Sequence, residues 1–259
     1  IFKVAILLLF SQNLIAKDFI SDLKSDEDFH YADYYKIKED LRLQNINLMN
    51  FSHIAEALPY PTEAYNRKVH FGTWIQDPDG SCMNTRGKVL VRDSKKTVGY
   101  NPNGCTVSQG EWLDPYTEKT FTASADIQID HLVPLKNAYM TGAHEWDYQK
   151  RCLYANFLGN NFHLLSVNGT ENLHKSDSSP SGYMPPNANY KCQYLKEWLE
   201  VKVIWSLRLT PKETTAIKNI YVNENCKSND FLITNAEVKT QRQFMDDHVD
   251  LCHSGAAHD

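Results

Sequence analysis

Gln128-Ile129-Asp130-His131-Leu132-Val133-Pro134 is the stretch that decides how this chain is read, taken with Asn172-Leu173-His174-Lys175 further along. Ala125 to Val133 has the apolar content of a buried strand. Asp130 and His131 therefore sit side by side at a strand end, where adjacent side chains leave opposite faces. Phe162 to Val167 reads as a second short strand. Asn168-Gly169-Thr170 then turns the chain into a helix, with Thr170 as the expected N-cap. Lys175 lies one turn beyond Asn172 on that helix and on the same side. The order is strand, Asp-His, connection, strand, turn, Asn-x-x-Lys helix.

That order suits the hydrolysis of a phosphodiester. Water must lose a proton in line with the scissile bond, and charge must be neutralised on the phosphate and the leaving oxygen. A histidine with a near-neutral pKa suits the first task, so His131 is the candidate base. Asp130 and Asn172 are hard oxygen ligands for the second, which favours Mg²⁺ or Mn²⁺ over Zn²⁺. Lys175 is a candidate to meet a substrate phosphate at the start of its helix. Taken singly, each has a commoner explanation: a capping or surface Asp-His pair, a turn asparagine, a solvated lysine. Only their order points to chemistry.

The likeness extends well beyond these residues. Ile127 to Leu135, Gly142-Ala143, Trp146, Leu164-Leu165-Ser166-Val167, Asn172 to Asp177 and Tyr183-Met184-Pro185-Pro186 form one set of motifs. Cys82 to Arg86, Val89 to Asp93, Gly104-Cys105 and Asp114-Pro115-Tyr116-Thr117 precede it, and Cys192-Gln193-Tyr194 and Val201-Lys202 follow. Over about residues 66–210 the chain resembles secreted bacterial HNH endonucleases related to the C-terminal nuclease domain of GmrSD-type restriction enzymes. The resemblance implies an α+β fold around a ββα-metal finger. It makes His131 the general base and Asp130 and Asn172 the metal ligands. The middle asparagine that orients the base falls near Asn161, with Asn160 its neighbour. Two departures from the simplest HNH spelling are Asn172 in place of a third histidine and a long helical insertion between the finger strands.

Composition narrows the alternatives. A net charge of −5 argues against coating nucleic acid by bulk electrostatics but leaves room for a local basic cleft. Acid-rich residues 17–40 are followed by a basic region holding Arg67, Lys68, Arg86, Lys88, Arg92, Lys95 and Lys96. Arg86 and Arg92 could fork onto phosphate, with structural ion pairs, such as Arg92 with Asp93, as the alternative. A rival zinc site from His144, His163 and His174 lacks any HxxxH or HExxH spacing. Cys82, Cys105, Cys152, Cys192, Cys226 and Cys252 contain no CxxC pair, so disulfides in an oxidising compartment are expected. Sequence proximity suggests 82–105, 152–192 and 226–252.

The opening apolar run, Ile1 to Phe10, reads as a secretory signal over 1–16. A mainly helical segment over 17–65 would follow, then the nuclease domain over 66–225 and a polar tail over 226–259 packed on it. A helix is expected from Asp18 to Ala57, a strand at Lys88 to Arg92, and helices over Lys136 to Ala155 (interrupted at Thr141-Gly142), Tyr190 to Leu207 and from Lys212. Trp146, Trp198 and Trp205 are expected in the core. The reading is a secreted or periplasmic metal-dependent endonuclease acting on DNA, with RNA left open as a substrate, and with little sequence preference. Two other classes compete: a nuclease-like binding module without catalysis, and a secreted zinc hydrolase. Scavenging and toxin roles share the same chemistry, and a toxin would bring an immunity protein as partner.

Overall fold

Short polar side chains set many of the element boundaries. In the computed structural model, which describes residues 45–50, 61–76 and 80–252, strand β1 is Asn45–Asn47 and helix α1 is Arg67–Phe71. Asn84 accepts the Gly87 N–H and starts α2, Thr85–Asp93. Strands β2 (Gly99–Tyr100), β3 (Val107–Leu113), β4 (Thr120–Ala123) and β5 (Ile127–His131) follow. Helices α3 (Leu135–Met140) and α4 (Tyr148–Ala155) lead to β6 (Leu164–Asn168) and α5 (Gly169–Lys175). The remainder is α6 (Lys191–Ile204), α7 (Pro211–Asn223), β7 (Leu232–Thr234) and α8 (Asn235–His248). The expected signal, most of the 17–65 segment, residues 77–79 and residues 253–259 lie outside the described residues.

The fold is α+β. β2, β3 and β4 form one antiparallel sheet, β5 and β6 a second, and β1 pairs with β7. A small core of Val89, Leu90, Val107, Trp112, Ile127, Ile129 and Leu164 joins α2 to both of the first two sheets. Trp112 fixes that junction by donating its indole N–H to the Leu90 carbonyl at 2.8 Å. The larger core surrounds α6, whose Tyr194, Leu195, Trp198 and Val201 are wholly buried. Trp205 is buried with them, and Trp146 packs against the same core. Buried Lys202 ties α6 to its neighbours through Asn137, Thr141 and the Arg208 carbonyl, and it lies 3.5 Å from Glu213.

Several local expectations are corrected. Lys88 to Arg92 is helical: the Asn84 cap and the burial of Gly87, Val89 and Leu90, with Val91 outside, outweigh the β-branched composition. The expected helix to Ala57 is interrupted by β1, which pairs with Leu232–Thr234. Asn168, not Thr170, caps α5 by accepting the Glu171 N–H. The supposed polar tail contains α8, which a Thr234–Glu237 capping box begins. It buries Val238, Arg242 and Met245.

The disulfides are Cys82–Cys105, Cys152–Cys252 and Cys192–Cys226. The first agrees with the proximity reading, and the other two replace 152–192 and 226–252. α8 carries the chain back to α4, which puts Cys252 beside Cys152, a neighbourhood that sequence distance does not encode. The bonds close spans of 100 and 23 residues for Cys152–Cys252 and Cys82–Cys105. Replacing both cysteines of the longer bridge by serine is expected to cost about 1 kcal/mol more than the same change in the shorter one. Chemical denaturation of the two variants measures the difference.

Glu200 on α6 gives a pH-dependent expectation. Burial, with Glu197 and Glu237 nearby, pushes its carboxyl up to about 7 from 4.5, against the opposing Lys196. Between those values the folded chain holds a proton that the unfolded chain has released, so stability falls as pH rises through the window. Glu200→Gln removes the dependence. Its stability relative to wild type is expected to improve by about 3 kcal/mol from about pH 4 to about pH 8, measured by denaturant titration.

Candidate active site

The alternation of β5 sorts the site. Ile127 and Ile129 point into the small core, and Gln128 and Asp130 point the other way, toward α5. β5 pairs with β6 in register, Asp130 opposite Leu165 and His131 opposite Leu164, and α5 follows β6 directly. Two rungs stitch the helix to the strand. The Asn172 amide donates to Gln128 Oε1 at 2.8 Å, and one turn later Lys175 Nζ donates to Asp130 Oδ1 at 2.9 Å. Lys175 Nζ also donates to the His131 carbonyl at 3.0 Å.

Asp130 has a second partner. The Tyr116 hydroxyl donates to its Oδ2 at 2.5 Å. Asp114 holds Tyr116 in place by accepting its backbone N–H, and Asn187 donates its own N–H to the Tyr116 carbonyl. Burial pushes the Asp130 carboxyl up, while Lys175 and Tyr116 pull it down. Burial likewise pushes the Lys175 ammonium down, against the pull of Asp130. Each charge is kept in the interior by the other.

His131 leaves the strand end on the other side. Its Nε2 lies 2.9 Å from the Ala155 carbonyl, the last residue of α4. A carbonyl can only accept, so Nε2 carries the hydrogen and Nδ1 keeps the lone pair. Nδ1 has no hydrogen-bond partner among the described residues. Trp74 stacks parallel to the imidazole, with centroids 5.4 Å apart and planes at 5°, and the His163 ring meets it edge-on. Burial, and secondarily His163, pushes the His131 pKa well below the usual value. His163 is anchored in the same way, through Nε2 to the Tyr154 carbonyl at 2.8 Å.

Several expected roles need correction. Asn161 is exposed and does not reach His131; the orienting acceptor is the Ala155 backbone carbonyl. Asn160 turns to the Phe162 and His163 N–H groups and to Gln241. Lys175 is 0% exposed and engaged with Asp130, so it is not placed to receive a substrate phosphate. Arg86 spends its guanidinium on the Ser124 and Ile127 carbonyls, and Arg92 on Asp93 and the Leu164 carbonyl. Both arginines serve the scaffold. His144 bonds the Tyr139 carbonyl and His174 lies against Glu171, so with His163 each is held separately.

Sequence reasoning gave Gln128 and Tyr116 no role, and it did not single out Trp74 or the Ala155 carbonyl. The two-residue alternation from Asp130 could have placed Gln128. Trp74 arrives on a loop, and a backbone carbonyl has no residue signature. No group of three His, Cys, Asp or Glu residues among the described ones could hold a metal. The donors at hand are instead the Asp130 carboxylate, whose two oxygens have lone pairs beyond those used, and the Asn172 Oδ1, which has no partner among the described residues. Both are hard oxygen donors of the kind that Mg²⁺ takes.

Comparison with known sequences places the chain in a family. The chain is 37% identical to a protein of Arthroderma benhamiae described as an uncharacterized secreted protein, over 160 residues that make up 62% of this chain and 76% of the relative. No solved structure matches. Residues 85–220 match the family described as GmrSD restriction endonucleases, C-terminal domain. That span contains β5, β6 and α5 with Asp130, His131 and Asn172, and the chain belongs to that family of restriction-endonuclease C-terminal domains.

Proposed function

We propose that this chain is a secreted, metal-dependent endonuclease that hydrolyses the phosphodiester bonds of DNA, and of RNA as a second substrate, with little sequence preference. The observation that carries the reading is the state of His131: Nε2–H committed to a carbonyl, Nδ1 bearing the lone pair, next to a buried carboxylate in the chain. Its description as a secreted protein in the fungal relative supports export, as do three disulfides.

His131 Nδ1 takes the proton from the attacking water. The resulting imidazolium keeps its Nε2–H on the Ala155 carbonyl, at the C-terminal end of α4, where backbone carbonyls favour a cation. Asp130 and Asn172 would hold Mg²⁺ or Mn²⁺, which when bound neutralises charge on the phosphate and the leaving 3′ oxygen. Lys175 and Tyr116 hold the Asp130 carboxylate in one orientation. Trp74 covers one face of the base and keeps its ring in plane.

Plasmid nicking with Mg²⁺, Mn²⁺ or EDTA, beside His131→Ala, tests the proposal. Cleavage that requires metal and is lost with His131 is the expected result. Folded wild-type protein that leaves DNA and RNA intact in every metal would overturn it.

A further inference from the structure

Asn156 follows Ala155 at the end of α4 and is 4% exposed. Every hydrogen-bonding position of its amide is used. Oδ1 accepts the Ile75 N–H at 3.0 Å and the Thr85 hydroxyl at 2.7 Å. Nδ2 donates to the Thr73 carbonyl at 3.2 Å and the Cys152 carbonyl at 3.0 Å. Thr73 and Ile75 are the two neighbours of Trp74, whose ring lies flat on His131. Ala155, the residue before Asn156, supplies the carbonyl that holds His131 Nε2.

One side chain thus joins the two supports of the histidine. The loop that covers the ring face is clasped on both sides of Trp74, to the helix end that grips the ring edge. Thr85 reinforces the clasp from α2, by donating its N–H to the Ile75 carbonyl at 3.0 Å. Only a side chain with paired donor and acceptor at this length satisfies the Thr73 carbonyl and the Ile75 N–H together.

We propose that Asn156 is the positioning residue for His131, fixing its ring plane and its Nε2–H tautomer through Trp74 and Ala155. This rests on the reading of His131 as the base. Without the clasp, loop 73–75 and the end of α4 move independently, and the lone pair on Nδ1 is no longer presented in one direction. The cost falls on turnover, because a base out of line fails in the reacting complex while substrate contacts elsewhere persist.

The test compares wild type with Asn156→Ala, Asn156→Asp and Trp74→Leu. One readout is the ¹⁵N signature of the His131 imidazole in histidine-labelled protein without metal or substrate, assigned with His131→Ala. The other is kcat and KM for Mg²⁺-dependent nicking. Wild type is expected to show a single Nε2–H tautomer. Folded Asn156→Ala is expected to show mixed tautomers, with kcat lower by about tenfold to a hundredfold and KM within about twofold. Asn156→Asp retains the acceptor half and should fall between the two, and Trp74→Leu should resemble Asn156→Ala. An unchanged His131 signature in folded Asn156→Ala overturns the proposal. If that variant does not fold, an unchanged signature in Trp74→Leu does so instead. Absence of nicking by wild type would defeat the nuclease reading alone, since the tautomer measurement still decides whether Asn156 sets the ring.

Discussion

Lys175→Met will unfold at markedly lower denaturant than wild type, with a loss of about 3–5 kcal/mol, because it leaves a buried carboxylate without its cation. The pair is enclosed, with side chains 0% and 6% exposed, and Lys175 also bridges to the His131 carbonyl. Methionine matches the length of lysine, so packing is kept and the charge is what is removed. Adding Asp130→Asn should restore a large part of the loss, since the uncompensated charge is then gone. Mg²⁺ provides a further check on the proposed ligand. If Asp130 holds the ion, saturating Mg²⁺ should raise the midpoint of Lys175→Met by more than that of wild type, through preferential binding to the folded state. An equal response in both proteins would remove Asp130 from the metal site.

His131→Ala should lower kcat for nicking by about 10²–10⁴, the range for loss of a positioned general base. KM should change little, because His131 is 7% exposed and its ring contacts are to Ala155, Trp74 and His163. Stability should fall modestly as well: the ring fills space under Trp74, and its removal leaves the Ala155 carbonyl without that donor. The two effects separate by experiment. Thermal unfolding reports the packing loss, and nicking at a temperature where the variant is folded reports the chemistry. A folded variant that nicks at the wild-type rate would assign the proton transfer elsewhere.

The strand that ends in Asp130-His131 was legible because its apolar content is a local signal, and it survives in the fold as β5. The Asn-x-x-Lys spacing was equally readable, since one helical turn brings Asn172 to Gln128 and Lys175 to Asp130. What Lys175 does there was not readable. A lysine on a short helix is ordinarily solvated, and only the position of α5 across β5 shows that its ammonium is enclosed. The orientation of His131 was hidden for another reason. Its acceptor is main chain, so reading the middle position from an asparagine led to Asn161, which points outward. The helix at Thr85–Asp93 was misread because Val89-Leu90-Val91 has strand composition, although Asn84 before it is a strong helix start. α8 carried the clearest overlooked signal, Thr234 and Glu237 three apart ahead of the periodic Val238, Arg242 and Met245.

The Cys152–Cys252 bond also bears on when the site is completed during biosynthesis. Cys152 lies on the helix that ends in Ala155, and its partner is a hundred residues downstream. While the ribosome is still adding α8, that helix has no covalent brace, and it gains one only after residue 252 has emerged and met an oxidant. A chain held in a reducing cytosol, or truncated before that point, would carry every residue of the candidate site without the crosslink that braces the helix holding His131. There is thus an interval in which α4 and the residues around it are present and the bond that ties α4 to the segment after α8 is not.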